Sequence, residues 1–539
     1  MNEIEQRVND PILKIERNKI EMKPTKQDYF KTLACTLPGE LEFYGTEAAE
    51  LFTKEIKESL KGVLEKSFIY SPENPEEKFV TTSVDGRVCS DQLWSRDAGV
   101  LMRELVHWGY LGHACYLADI LLTLINKNED GYYTYPMYFL KGQSAAGDEL
   151  DGTGTVIIGL VMLWKRLEAT HSLKKRIYNF ITDESSSIRF ILSKLEKEPL
   201  IAGSGEFGGG MFVEGEYYNV VQNNLLVLTL KSVESMLRET GEDTYADVCL
   251  KNAKKLLCNI EQYLIDEAGA WIWCIDPKTM KPNTEVLNSK ANKGFGGING
   301  VIAMFADVFG FELEDKDWRG TNAAKKSFEK IFNEKLRKEQ YEKYGMWTQF
   351  DMLISGLLTS PSYGQGYALQ ASLLFDRLEV TDKLISYLAE ATFQPPKGYK
   401  LDRDSGYHFY ERYLSHDFKD IEEFDQGCGA LNLVNVAEPL KVSRMIAGID
   451  DTAVGKVKII PRIPPSWKGY KAAHWPILAC GKIVVADIQF EKQDDFMIFK
   501  LQLRPGDIIP YLEVRLPNKS GEFSRHIYEN ISNIEMKLM

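Results

Sequence analysis

The residues most able to do chemistry in this chain are carboxylates set among aromatic and glycine-rich segments. Glu214 and Glu216 follow a glycine run at 208–210, and aromatic residues stand on both sides of them. A carboxyl group beside an apolar wall loses hydration, and the resulting rise in its pKa suits a general acid. Glu214 is therefore the candidate acid, with Glu216 in reserve, and solvated loop charge is an equally weighted alternative.

A second acidic segment lies at 408–428. Its carboxylates are Glu411, Asp417, Asp420, Glu422, Glu423 and Asp425. Most of them must be surface charges. One carboxylate placed opposite Glu214 would complete the acid–base pair that glycoside hydrolysis uses.

Two further groups stand where helices are expected to begin. Arg96 and Asp97 follow Trp94, and such a fork can bind vicinal sugar hydroxyls while the indole stacks on the ring. Helix capping by Asp97 is the more ordinary interpretation and is favoured two to one. Glu149 and Asp151 open another helix, where they could instead compensate its dipole.

Composition excludes several other classes of protein. The chain has 539 residues with 65 Lys and Arg against 78 Asp and Glu, a net charge of −13, which disfavours a nucleic-acid partner. Its eight cysteines form no C-x-x-C pair, and its seven histidines show no metal-ligand spacing. Nucleotide, zinc-protease and serine-hydrolase motifs are absent, so we expect no metal and no cofactor.

The amino terminus is charged throughout, and no apolar run of 18 or more residues occurs. The sequence therefore predicts no membrane contact. It also predicts a cytoplasmic location if residue 1 is the natural start. The oligomeric state is left open.

Helical periodicity dominates residues 43–447, in pairs of helices joined by short turns and separated by long loops rich in Gly, aromatic residues and carboxylates. It predicts helices at 151–168, 222–238, 244–265 and 297–309, a break near Gly109 and Gly112, and a loop at 141–150. This predicts a mainly α protein in which a closed ring of helical hairpins gathers its long loops at one end. An open solenoid is the alternative, but no fixed period supports it. The predicted organisation is an arm at 1–40, a barrel at 41–450 and an antiparallel β-sandwich at 451–539.

These residues resemble the six-hairpin, (α/α)6-barrel glycosidases. Arg96-Asp97-Ala98 resembles the segment with which the glucoamylase family grips the terminal sugar, and residues 149–154 resemble its Gln-x-Asp-x-x-Gly segment, with Glu149 replacing Gln. The Glu214 loop is placed like that family's general acid. Glu422 begins a Glu-Glu-Phe segment similar to the motif of its general base.

The carboxyl-terminal part resembles the α-L-rhamnosidase family instead. Residues 410–413, Tyr-Glu-Arg-Tyr, are similar to the Trp-Glu-Arg-Trp motif that carries its base, which would be Glu411. Leu433 stands where that family has His, and its acid motif is not visible near Trp94. The two resemblances together support the clan and leave the individual family open.

The resulting hypothesis is an exo-acting, inverting glycoside hydrolase with a carbohydrate as its partner. Glu214 would be the acid and Glu411 or Glu422 the base, and Glu149 and Glu216 would be reserves for the acid. Arg96, Asp97 and Asp151 would bind sugar hydroxyls, with Trp94, Trp347 and Tyr363 as aromatic walls. The alternatives are a non-catalytic carbohydrate-binding protein and a polysaccharide lyase using His408 and Tyr410.

Overall fold

The chain is described here by a computed structural model. The described residues are 26–34, 36–71, 77–84, 89–141, 143–203, 216–282, 320–333, 338–339, 341–342, 349–350, 358–393, 412–414, 431–453, 455–517 and 523–538. Their helices are α1 (Lys26–Leu33), α2 (Glu47–Lys66), α3 (Ser95–His107), α4 (Leu111–Leu124), α5 (Leu150–Arg166), α6 (Ser172–Thr182), α7 (Ser187–Lys197), α8 (Val220–Thr240), α9 (Asp243–Tyr263), α10 (Gly320–Phe332), α11 (Ser362–Leu374), α12 (Leu378–Phe393) and α13 (Leu433–Ala447).

Five of these helices form an inner ring that is buried nearly all round. In chain order they are α3, α5, α8, α11 and α13, and α13 returns to pack against α3. The helices α2, α4, α6, α7, α9, α10 and α12 alternate with them along the chain and show an exposed face. The described part is thus a helical barrel, as predicted, and the count of six hairpins stays a prediction because residues 283–319 lie outside it.

Small residues let the inner helices approach closely. A Cβ on Gly99 of α3 would lie 2.7 Å from the backbone of Thr155 on α5, and one on Gly366 of α11 would lie 2.7 Å from the Cβ of Glu438 on α13. These spacings are too short for a methyl group. Glycine at these two positions therefore sets the tight packing of neighbouring helices.

Short strands precede the inner helices and bind to one another in small antiparallel sheets. One sheet has β4 (Gln92–Trp94), β7 (Pro136–Leu140) and β8 (Gln143–Asp148), another has β9 (Ala202–Gly203), β10 (Tyr217–Asn219), β11 (Cys274–Asp276) and β12 (Lys281–Pro282), and a third has β13 (Gln349–Phe350), β14 (Leu358–Pro361) and β15 (Arg412–Leu414). Two-stranded ladders join β2 (Phe68–Ile69) to β3 (Phe79–Val80) and β5 (Asn126–Lys127) to β6 (Tyr133–Thr134).

The predicted β-sandwich follows the barrel. One sheet has the order β1-β18-β19-β20-β23, and the other has the order β16-β17-β21-β22. The strands are β1 (Glu40–Tyr44), β16 (Ile449–Asp450), β17 (Val457–Ile459), β18 (Gly469–Ala479), β19 (Lys482–Lys492), β20 (Met497–Leu503), β21 (Ile509–Pro517), β22 (Phe523–Ile531) and β23 (Asn533–Leu538). The pairing of β17 with β21 is parallel, which departs from a purely antiparallel sandwich.

Large aromatic side chains connect the sandwich to the barrel. The ring of Trp475 on β18 lies 4.9 Å from that of Trp108 at the end of α3, and Trp467 contacts Phe52 of α2 at 6.1 Å between ring centroids. Both tryptophans of the sandwich are 1% exposed. Burial of such residues is a large apolar contribution, so the two parts share one core.

One expectation needs correction. The segment 141–150 was expected to be a loop, but its residues 143–148 form β8, the second strand of a hairpin with β7. The small residues of this segment do not indicate a strand by themselves, because the strand forms through its pairing with the neighbouring strand. The arm at 1–40 carries the helix α1, and β1 adds an edge strand to the carboxyl-terminal sheet. The domain boundaries themselves stay a prediction.

Candidate functional site

The candidate site lies where the inner helices begin. Their first turns carry buried polar side chains, whereas their later turns are mainly apolar until a second polar layer. The first turn of a helix exposes backbone N–H groups and a positive dipole end. Several such ends, directed at one place, suit a polar ligand with many hydroxyl groups.

Arg96 and Asp151 meet across the first turns of α3 and α5. The Arg96 Nη1 atom donates to Asp151 Oδ2 at 3.3 Å, and Arg96 Nε lies 4.0 Å from Asp97 Oδ2. The exposed fractions of these three side chains are only 3–10%. The arrangement places the guanidinium between two carboxylates.

Glu149 and Asp148 stand next to this pair but differ in environment. Glu149 precedes α5 and is 2% exposed, and its backbone N–H donates to the Tyr135 carbonyl at 2.9 Å. Asp148 is exposed, and its carboxylate accepts from Thr134 and from Asn128. Asp148 therefore stabilises the local strands, while Glu149 places a buried carboxyl group at the start of α5.

An aromatic pair borders the cluster. Trp94, the last residue of β4, lies opposite Tyr138 of β7, and their ring centroids are 5.4 Å apart with the planes inclined at 32°. Both side chains are half-buried, and the indole N–H of Trp94 donates to Gln92 at 2.8 Å. The pair presents a partly exposed aromatic surface two residues from Arg96. Tyr138 could not be identified from the sequence, because its contact with Trp94 depends on the pairing of two strands.

The remaining predicted site residues are only partly described. Glu214, Glu411, Glu422 and Trp347 lie outside the described residues. Tyr363 lies in the first turn of α11, and nothing is described of its side chain. Glu216 is exposed and directly precedes β10. The pairing of an acid with a base thus stays a prediction, while Arg96, Asp97 and Asp151 lie together and Glu149 is buried at the start of α5.

Amides at the start of α8 form a further polar group. Asn219 caps the helix by accepting from the N–H groups of Val221 and Gln222. Asn223 holds the preceding strand by donating to the Ile201 carbonyl and accepting from its N–H group. Both asparagines are fully buried, and they fix the point at which the segment containing Glu214 returns to the barrel.

A second layer of buried polar side chains lies deeper in the barrel, and it was not identified from the sequence. Arg444 of α13 donates to Glu104 of α3 through Nε at 3.1 Å and Nη2 at 2.7 Å. Gln370 of α11 donates to Glu438 of α13. The signal was present as charged residues within the most apolar helices, but periodicity alone does not tell which of them meet.

Burial governs ionisation in this layer. Desolvation raises the pKa of Glu438 and lowers that of the neighbouring Lys441. Desolvation also lowers the pKa of Arg103 to about 10, although two glutamates partly offset the effect. For Glu104 the ion pair with Arg444 outweighs burial, and its pKa is lowered. The ionisation of each buried group in this layer therefore depends on the charges of its neighbours, and these interactions connect the inner helices.

The described residues contain no group of three or more His, Cys, Asp or Glu side chains that could hold a metal ion. Among the same residues, no helix has the length and apolarity needed to cross a membrane.

No known protein family and no curated protein matches the sequence. Solved structures do match. The α-L-rhamnosidase of Dictyoglumus thermophilum superposes with a TM-score of 0.57 at 13% identity, over 94% of this chain and 50% of that one. The Streptomyces avermitilis α-L-rhamnosidase complexed with L-rhamnose gives 0.56 at 12% identity, over 93% and 42%. A protein described as a kojibiose phosphorylase, from the human microbiome, gives 0.54 at 10% identity, over 100% and 73%.

These similarities confirm the predicted resemblance at the level of fold. The helical barrel and its appended sheets share the fold of these α-L-rhamnosidases and of the protein described as a kojibiose phosphorylase. The chain spans about half of the length of the rhamnosidases that it resembles. At identities of 10–13% the similarity concerns architecture, and the activity must be argued from the site.

Proposed function

We propose that this protein is an exo-acting glycoside hydrolase that removes a neutral terminal sugar with inversion of configuration. The observation that carries the proposal is the buried Arg96–Asp151 pair at the mouth of a glycosidase-type barrel, beside the half-buried Trp94. A fixed guanidinium between carboxylates offers donors and acceptors to adjacent hydroxyl groups. An aromatic face nearby suits the C–H face of a sugar ring.

The charge of the cluster supports a neutral sugar. Within the described part of the chain, the buried carboxylates of Asp97 and Asp151 flank one guanidinium, and the buried Glu149 directly precedes the helix that carries Asp151. A uronate or phosphorylated sugar would bring a further negative charge into this buried group, at an unfavourable Coulomb energy. This disfavours the lyase alternative, which needs a cationic groove for uronates.

The proposed chemistry uses two carboxyl groups on opposite sides of the sugar. Glu214 gives its proton to the glycosidic oxygen as the bond from that oxygen to the anomeric carbon breaks. Glu411 or Glu422 accepts a proton from the water that attacks the anomeric carbon from the opposite face. Inversion requires these carboxyl groups to be about 6.5–9.5 Å apart, which leaves space for that water.

The non-catalytic alternative is separated by product analysis. The purified full-length chain is incubated with a panel of neutral aryl glycosides and disaccharides, with and without inorganic phosphate. We expect a free reducing sugar at an unchanged rate in both conditions. A sugar phosphate formed only with phosphate would assign phosphorolysis, and binding of sugars without any turnover would assign a carbohydrate-binding protein.

A further inference from the structure

A cavity lies at the end of the barrel away from the candidate site. It has a volume of about 540 Å³ and is formed by α1, α2, β1 and the turn from α3 to α4. Volumes of about 300–1,000 Å³ are typical of small-molecule sites. The cavity plays no part in the proposed hydrolysis.

Its separation from the candidate site follows from α3. Arg96 and Asp97 lie in the first turn of this helix, whereas Trp108 and Tyr110, just after its last turn, line the cavity. A helix of 13 residues is about 20 Å long at 1.5 Å per residue. A molecule in the cavity therefore does not touch a sugar at the Arg96 cluster.

The inner wall of the cavity is apolar. Phe30, Leu41, Ile56 and Leu60 contribute buried side chains to it. His113 stacks on Phe30 with ring centroids 4.0 Å apart, and burial lowers its pKa to about 3. The imidazole is therefore neutral near pH 7 and extends the flat hydrophobic surface.

The rim of the cavity is cationic. The charged residues that line it are Lys26, Lys31, Lys57, Lys61, Glu40 and Glu65. Lys26 donates to the Glu65 carbonyl at 2.6 Å, and Lys57 pairs with Glu42 at 2.5 Å. Neither Lys31 nor Lys61 forms an ion pair with another described residue, and both are exposed. The chain as a whole has a net charge of −13, whereas lysine is in excess at the rim of this cavity. The rim therefore attracts anions selectively.

We propose that this cavity binds a free amphipathic anion, a single unbranched alkyl chain with a carboxylate head group. The alkyl chain lies against Phe30, Leu41 and Leu60, and the carboxylate meets Lys31 and Lys61 at the rim. The apolar wall and the cationic rim are complementary to the two parts of such a molecule. This binding site is independent of the proposed glycosidase activity.

The test is isothermal titration of the full-length protein with octanoate and decanoate, each below its critical micelle concentration. Each added methylene group is worth about fourfold in affinity when it enters an apolar site. We expect saturable binding of one molecule per chain, with decanoate about fifteenfold tighter than octanoate. A neutral sugar that is a substrate leaves this affinity unchanged.

Three variants locate the site. Lys61→Glu removes a cation at the rim, and we expect it to weaken decanoate binding about tenfold or more. Ala34→Trp, at a half-buried lining residue, fills the cavity and abolishes binding. Lys66→Glu is the matched control, because it makes the same charge change on the same helix at an exposed residue outside the lining. Circular dichroism verifies that each variant is folded.

Several results would overturn the proposal. These are no saturable heat with decanoate, equal weakening by Lys66→Glu and Lys61→Glu, or equal binding of decyltrimethylammonium, whose head group is cationic. Binding that is seen only after deletion of residues 1–25 would also overturn it, since the chain's own amino terminus would then be the occupant. All of these readouts are independent of sugar hydrolysis.

Discussion

Arg444 and Glu104 form a fully buried, two-point ion pair between the last and the first inner helices of the barrel. The guanidinium donates through Nε at 3.1 Å and through Nη2 at 2.7 Å, and both side chains are 1% exposed. The two residues are 340 positions apart in sequence. The pair therefore joins the last inner helix of the barrel to the first.

Loss of one partner of this pair should destabilise the barrel strongly. Arg444→Met leaves the Glu104 carboxylate buried without its guanidinium, and such changes cost about 3–5 kcal/mol. We expect this decrease in the free energy of urea-induced unfolding. The control is Arg238→Met, which removes three ion pairs on the surface of α8 and should change stability little. Equal losses in the two variants would show that the ring does not depend on the Glu104–Arg444 pair.

Glu55 is a second buried carboxyl group with a different setting. It is 0% exposed on α2, and neither carboxylate oxygen accepts a hydrogen bond from a described residue. Burial raises its pKa well above the usual range, so the folded state prefers the protonated form. Its contribution to stability is therefore greatest at acid pH and is lost as the pH rises above the unfolded-state pKa.

Replacing this carboxyl by an apolar group of similar size should stabilise the protein. We expect Glu55→Met to raise the midpoint of thermal unfolding, and to raise it more at about pH 8 than at about pH 4.5. Differential scanning calorimetry at the two pH values measures the change. Glu58→Met, at a half-buried residue on the same helix, is the control. A lower midpoint for Glu55→Met at both pH values would mean that this carboxyl is paired in solution.

Because of the buried His107, we expect the free energy of unfolding to decrease in acid. It lies at the end of α3, 3.3 Å from Asp451, and burial together with the charge of Arg444 lowers its pKa to about 4. A histidine that resists protonation in the folded state stabilises the protein above its unfolded-state pKa, and this contribution is lost as the pH falls from about 6.5 towards 4.

The His107→Gln variant isolates this effect. Between about pH 7 and 4.5, we expect it to lose about 2–3 kcal/mol less unfolding free energy than the parent protein does. His474→Gln changes an exposed histidine and should keep the parent's pH dependence. Parallel pH profiles for His107→Gln and the parent would show that His107 is protonated in the folded protein.

The sequence allowed the helices to be predicted better than their contacts. Periodicity located α5, α8 and α9 to within a few residues, and a turn near Gly109 was expected where Gly109 adopts φ +82°. The helical segment predicted at 297–309 lies outside the described residues. Local patterns suffice for such elements because their cause is local.

Contacts between distant segments could not be predicted in the same way. The resemblance brought Arg96, Asp97 and Asp151 into one proposed site, and the structure places them together. Tyr138 was missed because it meets Trp94 only through the pairing of β4 with β7. Glu104 and Arg444 were missed because each looked like an isolated charge in an apolar helix, and only ring closure makes them partners.

Replacement of Arg96 by lysine should lower the catalytic efficiency of the proposed hydrolysis. Lysine keeps the positive charge but not the planar fork that meets two carboxylates and a substrate hydroxyl. Loss of one charged hydrogen bond is worth about 1.5–3 kcal/mol, so we expect Arg96→Lys to lower kcat/KM about 10- to 100-fold. Steady-state kinetics on the substrate found by the aryl glycoside panel measures this change. Arg176→Lys, at an exposed ion pair on α6, should retain full activity. Unchanged kcat/KM for Arg96→Lys would place the sugar elsewhere.

Hydrolysis by two carboxyl groups on opposite sides of a neutral glycoside inverts the configuration at the anomeric carbon. Proton NMR of the reaction mixture, recorded within the first turnovers and before mutarotation, shows which anomer of the free sugar forms first. We predict the anomer opposite to that of the substrate, and a rate about 10²-fold or more lower for Glu214→Gln. Release of the same anomer as the substrate would contradict inversion, and full activity of Glu214→Gln would contradict the role of Glu214 as the general acid.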